Sequence, residues 1–216
     1  MLRRGFLLLL IVFLAANGYS QSFSAVSIGN DLRLFTALTA LNAAGFDVEL
    51  GAQYHPVRAR VRQVAASLDP DLIRRLKDFY AGHKGKESDA DQIAKYLSLA
   101  LNLTDAPEFK PAFREEALPP DARSVLTFAD LMREVYQKGV LSPLWSELGP
   151  QYDREIDAMA PQIRQSLVRT DAYLRIALGS AGARTMAIYV ELAAPVNSVN
   201  VRSNQDNYYV DRKSTR

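Results

Sequence analysis

Thr185–Val210 reads TMAIYVELAAPVNSVNVRSNQDNYYV. Thr185 to Leu192 is rich in β-branched and aromatic residues and predicts a strand. Pro195 to Ser198 turns it, and Val199 to Arg202 predicts a second, shorter strand. The cluster Ser203-Asn-Gln-Asp-Asn207 has turn chemistry, and Tyr208-Tyr209-Val210 begins a third strand. Consecutive short strands joined by turns predict a partial antiparallel meander. A lone hairpin is marginal in water, so this segment must pack on something else. Everything between residue 21 and residue 184 reads instead as helix.

Working outward, Asp211-Arg-Lys-Ser-Thr-Arg216 is abruptly polar after an apolar strand-like run, with no turn residue at the junction. It resembles the in-frame translation of a sequencing-library adapter. That resemblance implies that native sequence ends near Val210 and that the chain is an N-terminal fragment.

At the other end, Leu2, Arg3 and Arg4 open a basic region followed by the 11-residue apolar run Phe6 to Ala16. A membrane span needs about 20 residues. Small residues at Gly18 and Ser20 suit cleavage after Ser20, so residues 1–20 are expected to be a Sec-type signal peptide. Export to a bacterial periplasm or the cell exterior follows. The expected organisation is 1–20 leader, 21–184 helical domain, 185–210 start of a β-containing module and 211–216 tail.

The formal charge is +2, from 26 basic and 24 acidic residues. Five of the basic residues and one acidic residue lie in the leader and tail, which leaves 21 against 23. A near-neutral body has no basic footprint for nucleic acid. The chain has no Cys, which excludes disulfides, thiolate metal sites and cysteine nucleophiles.

The helical region is punctuated by caps. Ser22 to Gly29 reads as a linker, and Asn30 or Asp31 can cap a first helix with an apolar face of Leu34, Phe35, Leu38 and Leu41. Gly45 sits where a left-handed residue ends it. His55-Pro56 and Asp69-Pro70 start two further helices with proline in the first turn. Their stripes are Val57, Val61, Val64 and Leu68, then Leu72, Ile73, Leu76, Phe79 and Tyr80. Ser88 with Asp91 resembles a capping box before a helix carrying Ile93, Tyr96, Leu97 and Leu101. A proline-rich connection from Asp105 to Pro120 leaves room for a short turn at Ala112 to Ala117. Asp121 predicts a helix closed by Gly139. A short one follows at Leu144, Trp145 and Leu148, and a long one from Pro150 to Leu178 that Pro161 should kink or split. The fold class is therefore mainly α, about seven helices followed by a partial β meander.

Few residues carry chemistry. His55 and His83 read as a helix-start and a loop residue, and no metal-ligand spacing is present. Glu115-Glu116 and Asp153, Glu155 and Asp157 read as solvated helix faces. Arg58, Arg60, Arg62, Arg74 and Arg75 read as a solvated run pairing with Asp69, Asp71 and Asp78. No nucleophile elbow, phosphate loop or dinucleotide glycine pattern occurs. No catalytic residue, metal site or cofactor is expected.

Trp145, Leu148, Gly149 and Tyr152 match W-x-x-L-G-x-x-Y and resemble the first helix of a tetratricopeptide repeat. That resemblance implies a peptide-binding groove around Trp145, Leu148 and Tyr152. The family's second-helix positions fall on Pro161, Gln165 and Tyr173, which depart from its pattern. The overall layout is similar to exported bacterial proteins in which a helical region precedes a gluzincin-type peptidase module, whose sheet and edge strand come before the metal-binding helix. No motif of that family lies in residues 21–210. Three functions are thus expected in order: an exported helical interaction or scaffold domain with a protein or peptide partner, the N-terminal part of a secreted zinc-peptidase-like protein whose active site is missing, or a tetratricopeptide-like peptide-binding module. No nucleic-acid partner and no membrane span after leader removal are expected. Nothing in the sequence sets the oligomeric state.

Overall fold

A helix with no polar face occupies the centre of the molecule. The computed structural model of the chain describes residues 26–46, 55–86, 88–138, 140–174, 185–194, 199–204 and 207–213. Strand β1 (Val26–Gly29) leads directly into helix α1 (Leu32–Ala43), whose Asp31 cap accepts from the Arg33 and Leu34 N–H groups. Leu34, Phe35, Ala37, Leu38, Ala40 and Leu41 are buried, and so are Thr36 and Thr39. The expected single apolar face was too narrow. The residues between the leucines are Ala and Thr, small enough to let neighbours approach from every side. Each Thr hydroxyl donates to a carbonyl one turn back, Thr36 to Leu32 at 2.7 Å and Thr39 to Phe35 at 2.8 Å. The back-bonds remove the cost of burying them.

Gly45 ends α1 at φ 83°, with Gly45 N–H on the Asn42 carbonyl and Phe46 N–H on that of Leu41. These two bonds are the Schellman pattern that requires a left-handed residue at this point.

Helices α2 (Pro56–Ala66), α3 (Pro70–Gly82) and α4 (Asp89–Leu101) start at the predicted caps His55, Asp69 and Ser88. A short 3-10 turn at Glu115–Ala117 falls within the predicted 112–117 segment. The helix expected from Asp121 onward is instead two, α5 (Pro120–Ser124) and α6 (Phe128–Gln137). Between them, Leu126, Phe128, Ala129 and Asp130 donate to carbonyls three residues back. The poor helix formers Ser124, Val125 and Thr127 favour that tighter winding.

Helix α7 (Leu141–Leu174) is the main departure in the helical part. It runs unbroken through Pro150 and Pro161, where two helices and a break were expected. Pro143, Pro150 and Pro161 lie seven and eleven positions apart, so they share one side of the helix, and all three are exposed. The carbonyls they deprive of partners, on Ser146 and Asp157, therefore face water. The residues before them are Ser142, Gly149 and Ala160. Small side chains there weaken the clash that normally drives a pre-proline residue out of the helical region.

The sheet is completed by β2 (Thr185–Glu191), β3 (Val199–Asn204) and β4 (Asn207–Lys213) in the order β1-β2-β4-β3. The mainly helical class holds, with seven helices among the described residues. The strand arrangement is not a simple antiparallel meander. Only β3 and β4 pair antiparallel, with Asn204 opposite Asn207 across the SNQDN cluster. Because β3 runs back first, β4 points the same way as β2, and its place beside β2 makes that pair parallel. On the other side of β2 lies β1, also parallel, Val26 opposite Met186. Val26–Gly29 forms this strand inside the segment that the sequence predicts as linker. A four-residue strand carries too short an alternation to be seen alone, and its partner is far along the chain. Strand β4 extends through Lys213, three residues into the polar tail.

Helix α1 packs against α2, α3, α4 and α6, and through Phe35 onto α7. Val190, Leu192, Ala193 and Ala194 join this same core, so the end of β2 is part of the helical body. A second, smaller cluster forms where α7 crosses the sheet at Val26, Ile163 and Ile188. Among the described residues no helix is long and apolar enough to cross a membrane. The expected signal peptide, residues 1–20, lies outside the described residues.

Phe35 is fully buried between Trp145 and Tyr152. Phe35→Ala is expected to cost about 3–5 kcal/mol in urea denaturation. A loss below about 1 kcal/mol would mean that α1 is not the centre of the core.

Candidate functional site

The first four turns of α7 bring Trp145, Leu148 and Tyr152 onto one side of the helix. Ring centroids lie 4.9 Å apart for Phe35–Trp145, 5.3 Å for Trp145–Tyr152 and 6.2 Å for Phe35–Tyr152. The tilted and edge-on geometries are the favourable ones for aromatic quadrupoles. Leu148 and Tyr152 are 1% and 0% exposed, and Trp145 is half-buried. As packed, the three side chains are a wall of the core against α1, and Leu148 and Tyr152 present no surface to a partner. The motif also sits within one continuous helix, where a tetratricopeptide repeat turns back after its first helix. Apart from its chain neighbours and the adjacent backbone of its own helix, no atom lies within 4 Å of where a Cβ on Gly149 would stand, so no neighbouring helix demands a glycine there. Its use is local, ahead of Pro150.

Tyr152 has a polar task that the sequence did not disclose. Its hydroxyl donates to Glu191 Oε2 at 3.2 Å, and both residues are completely buried. Glu191 is the last residue of β2. Burial, reinforced by the Glu191 charge, holds the phenol well above its ordinary range, while backbone hydrogen bonds from Leu192 and Ala193 act in the opposite direction. A phenol in this setting keeps its proton and acts as a donor. The pair is a lock joining α7 to the end of β2. The only sequence signal was a lone acid in the apolar run MAIYVELAA.

Most of the other polar residues tie helices together. Arg60 grips Glu147 with two bonds of 2.9 Å, linking α2 to α7. On the same seam His55 Nε2 lies 3.6 Å from Glu155 Oε1, while its Nδ1 accepts from the Val57 N–H and caps α2. Arg75 reaches Glu134 and so joins α3 to α6. Arg74 pairs with Asp71 and Asp78 on the exposed side of α3. The reading of the arginine run as solvated and paired with the nearby aspartates holds for Arg74 and Arg75, whereas Arg60 pairs with Glu147 and Asp69 caps a helix instead of pairing. Arg58 departs from it. It is 1% exposed, and burial together with Arg62 pushes its guanidinium down to about 9.

His83 caps the end of α3 and stacks on Phe79 at 3.9 Å, and its Nδ1 donates to the Phe79 carbonyl. Glu115 and Glu116 are exposed. Glu116 helps line an open hollow with Phe113, Arg114 and Ala117. Asp153 and Asp157 are exposed on α7. Among the described residues, no three His, Asp or Glu side chains converge on a point that could hold a metal ion.

Tyr96, on α4, is fully buried against Phe128, and its hydroxyl has no hydrogen-bond partner among the described residues. Burial, with Tyr80 nearby, raises its phenol too.

Comparison of the chain with protein-family models, with curated proteins and with solved structures gives no match in any of the three.

Two outcomes are expected. Tyr152→Phe leaves the buried Glu191 oxygen without its phenol donor and should cost about 1–3 kcal/mol in chemical denaturation. The two raised phenols also set an alkaline limit. An unfolded tyrosine loses its proton near pH 10, while Tyr96 and Tyr152 retain theirs when folded. The folded state therefore binds more protons above that pH, and stability should fall as pH rises from about 10 upward. Tyr96→Phe should flatten that fall in a pH series of denaturation midpoints; an unchanged slope would count against a raised Tyr96 phenol.

Proposed function

We propose that this chain is an exported helical interaction or scaffold domain. The observation that carries the reading is the use made of its chemistry-bearing side chains. Asp31, His55, Asp69 and Ser88 cap helices. Arg60, Glu147, Arg75 and Glu134 tie helix to helix. Tyr152 and Glu191 lock the sheet to the helical body. These groups serve a rigid platform. Outside that platform, α7 continues to Leu174 with Tyr173 86% exposed, an aromatic side chain suited to contact with a protein surface. The basic leader and its 11-residue apolar run support export.

A second reading is the N-terminal part of a gluzincin-type peptidase. The observation that favours it is the edge strand β3, which runs against β4 in a sheet whose other pairs are parallel. A sheet with an edge strand ahead of the metal-binding helix is the layout that this resemblance implies.

Expressed with its leader in a bacterium, the chain should be recovered from the periplasm or medium, beginning at Gln21 by N-terminal sequencing. Cytoplasmic retention with the leader intact would sink the export part of the reading. A photo-crosslinking amino acid at position 173 should give a discrete intermolecular adduct in the exported fraction, and its absence would count against an interaction role. Purified residues 21–210 are expected to bind no stoichiometric zinc. Zinc at one equivalent would overturn that expectation.

A further inference from the structure

Helix α7 rests on two cores that barely touch. Up to Tyr152 it packs in the main cluster, and further along Ile163 meets Val26 and Ile188 in the second. Among the described residues only Ile28 and Met159 pack against both. Pro161 stands two positions beyond Met159, at the seam. Its nitrogen has no hydrogen for the Asp157 carbonyl, so the backbone ladder is interrupted where the packing also changes hands. Among the described residues beyond the seam, α7 holds the sheet through few anchors. Ile163 is buried and Leu167 half-buried, while Arg164, Gln165, Ser166, Val168, Arg169 and Thr170 are exposed.

We propose that residues 162–174 of α7 form a strap that opens from the sheet as a unit at Pro161 while the helical platform stays folded. Among the described residues, opening gives up the contacts that Ile163 and Leu167 make in this small cluster. At Pro161 the backbone ladder already lacks one bond, so the turn that must give way there is weaker than its neighbours. The platform is held independently by α1, by the Arg60–Glu147 bridge and by the Tyr152–Glu191 lock, all on the near side of the seam. The open state uncovers Val26 and Ile188, buried in the closed state, beside the half-buried Met186. The protein thus carries a surface whose availability depends on the strap. This conformational device does not rest on the interaction reading above.

Hydrogen exchange read by mass spectrometry on the full chain tests it. Peptides covering 162–174 should exchange at least about tenfold faster than those covering 144–158, with a step at Pro161 and not a gradual decline toward the helix end. Pro161→Ala restores the N–H missing opposite the Asp157 carbonyl and so strengthens the turn at the seam. It should slow exchange in 162–174 by about tenfold and leave 144–158 unchanged. Ile163→Ala should speed exchange in 162–174 alone. Equal protection on both sides of Pro161, a graded profile that Pro161→Ala does not alter, or an Ile163→Ala chain that loses protection throughout the platform would each overturn the strap.

Discussion

Burial of α1 on all sides is the constraint from which the rest of the structure follows. A helix without a polar face is stable in water only if other elements surround it. Here α2, α3, α4 and α6 do so, and α7 closes the remaining side through Trp145 and Tyr152. The small residues of the TALTALNAA run permit the close approach, and the threonines remain compatible with it because their hydroxyls find carbonyls within the helix. The polar bridges lie outside this centre, where they orient helices that hydrophobic contact has already brought together. Exposed ion pairs such as Arg74–Asp71 add little to stability, typically below about 1 kcal/mol.

Helix α7 transmits this constraint to the sheet. Its first half belongs to the helical core and its second half covers β1 and β2. The Tyr152–Glu191 hydrogen bond sits where the two meet the end of β2. Because β1 precedes α1 by only two residues, the sheet is fixed to the platform at two points, through the chain itself and through this lock. The helix and sheet regions, distinct in composition, are therefore one packed body at the end of β2.

Much of the helical architecture was legible because it is written locally. Caps at Asp31, His55, Asp69 and Ser88, the proline-first starts and the Gly45 termination each depend on residues within one turn. What escaped was non-local. Strand β1 is visible only beside β2, and the parallel β2–β4 pair follows from strand order that turn chemistry does not encode. The unbroken course of α7 depends on which side of the helix its prolines occupy. The candidate site was legible in part. The spacing of Trp145, Leu148 and Tyr152 correctly placed them together. Whether they faced outward or into α1 was not decidable from spacing, and nothing near Tyr152 in sequence pointed to Glu191.

The sequence by itself determined the mainly helical class, most helix starts, the strand segments beyond Thr185 and the expectation of export, because each rests on short-range chemistry or on composition. Only the tertiary structure decided that α1 is enclosed, that the sheet is mixed, that the aromatic motif is core and that Tyr152 meets Glu191. Those outcomes depend on contacts between residues far apart in the chain, where burial and packing override any local pattern.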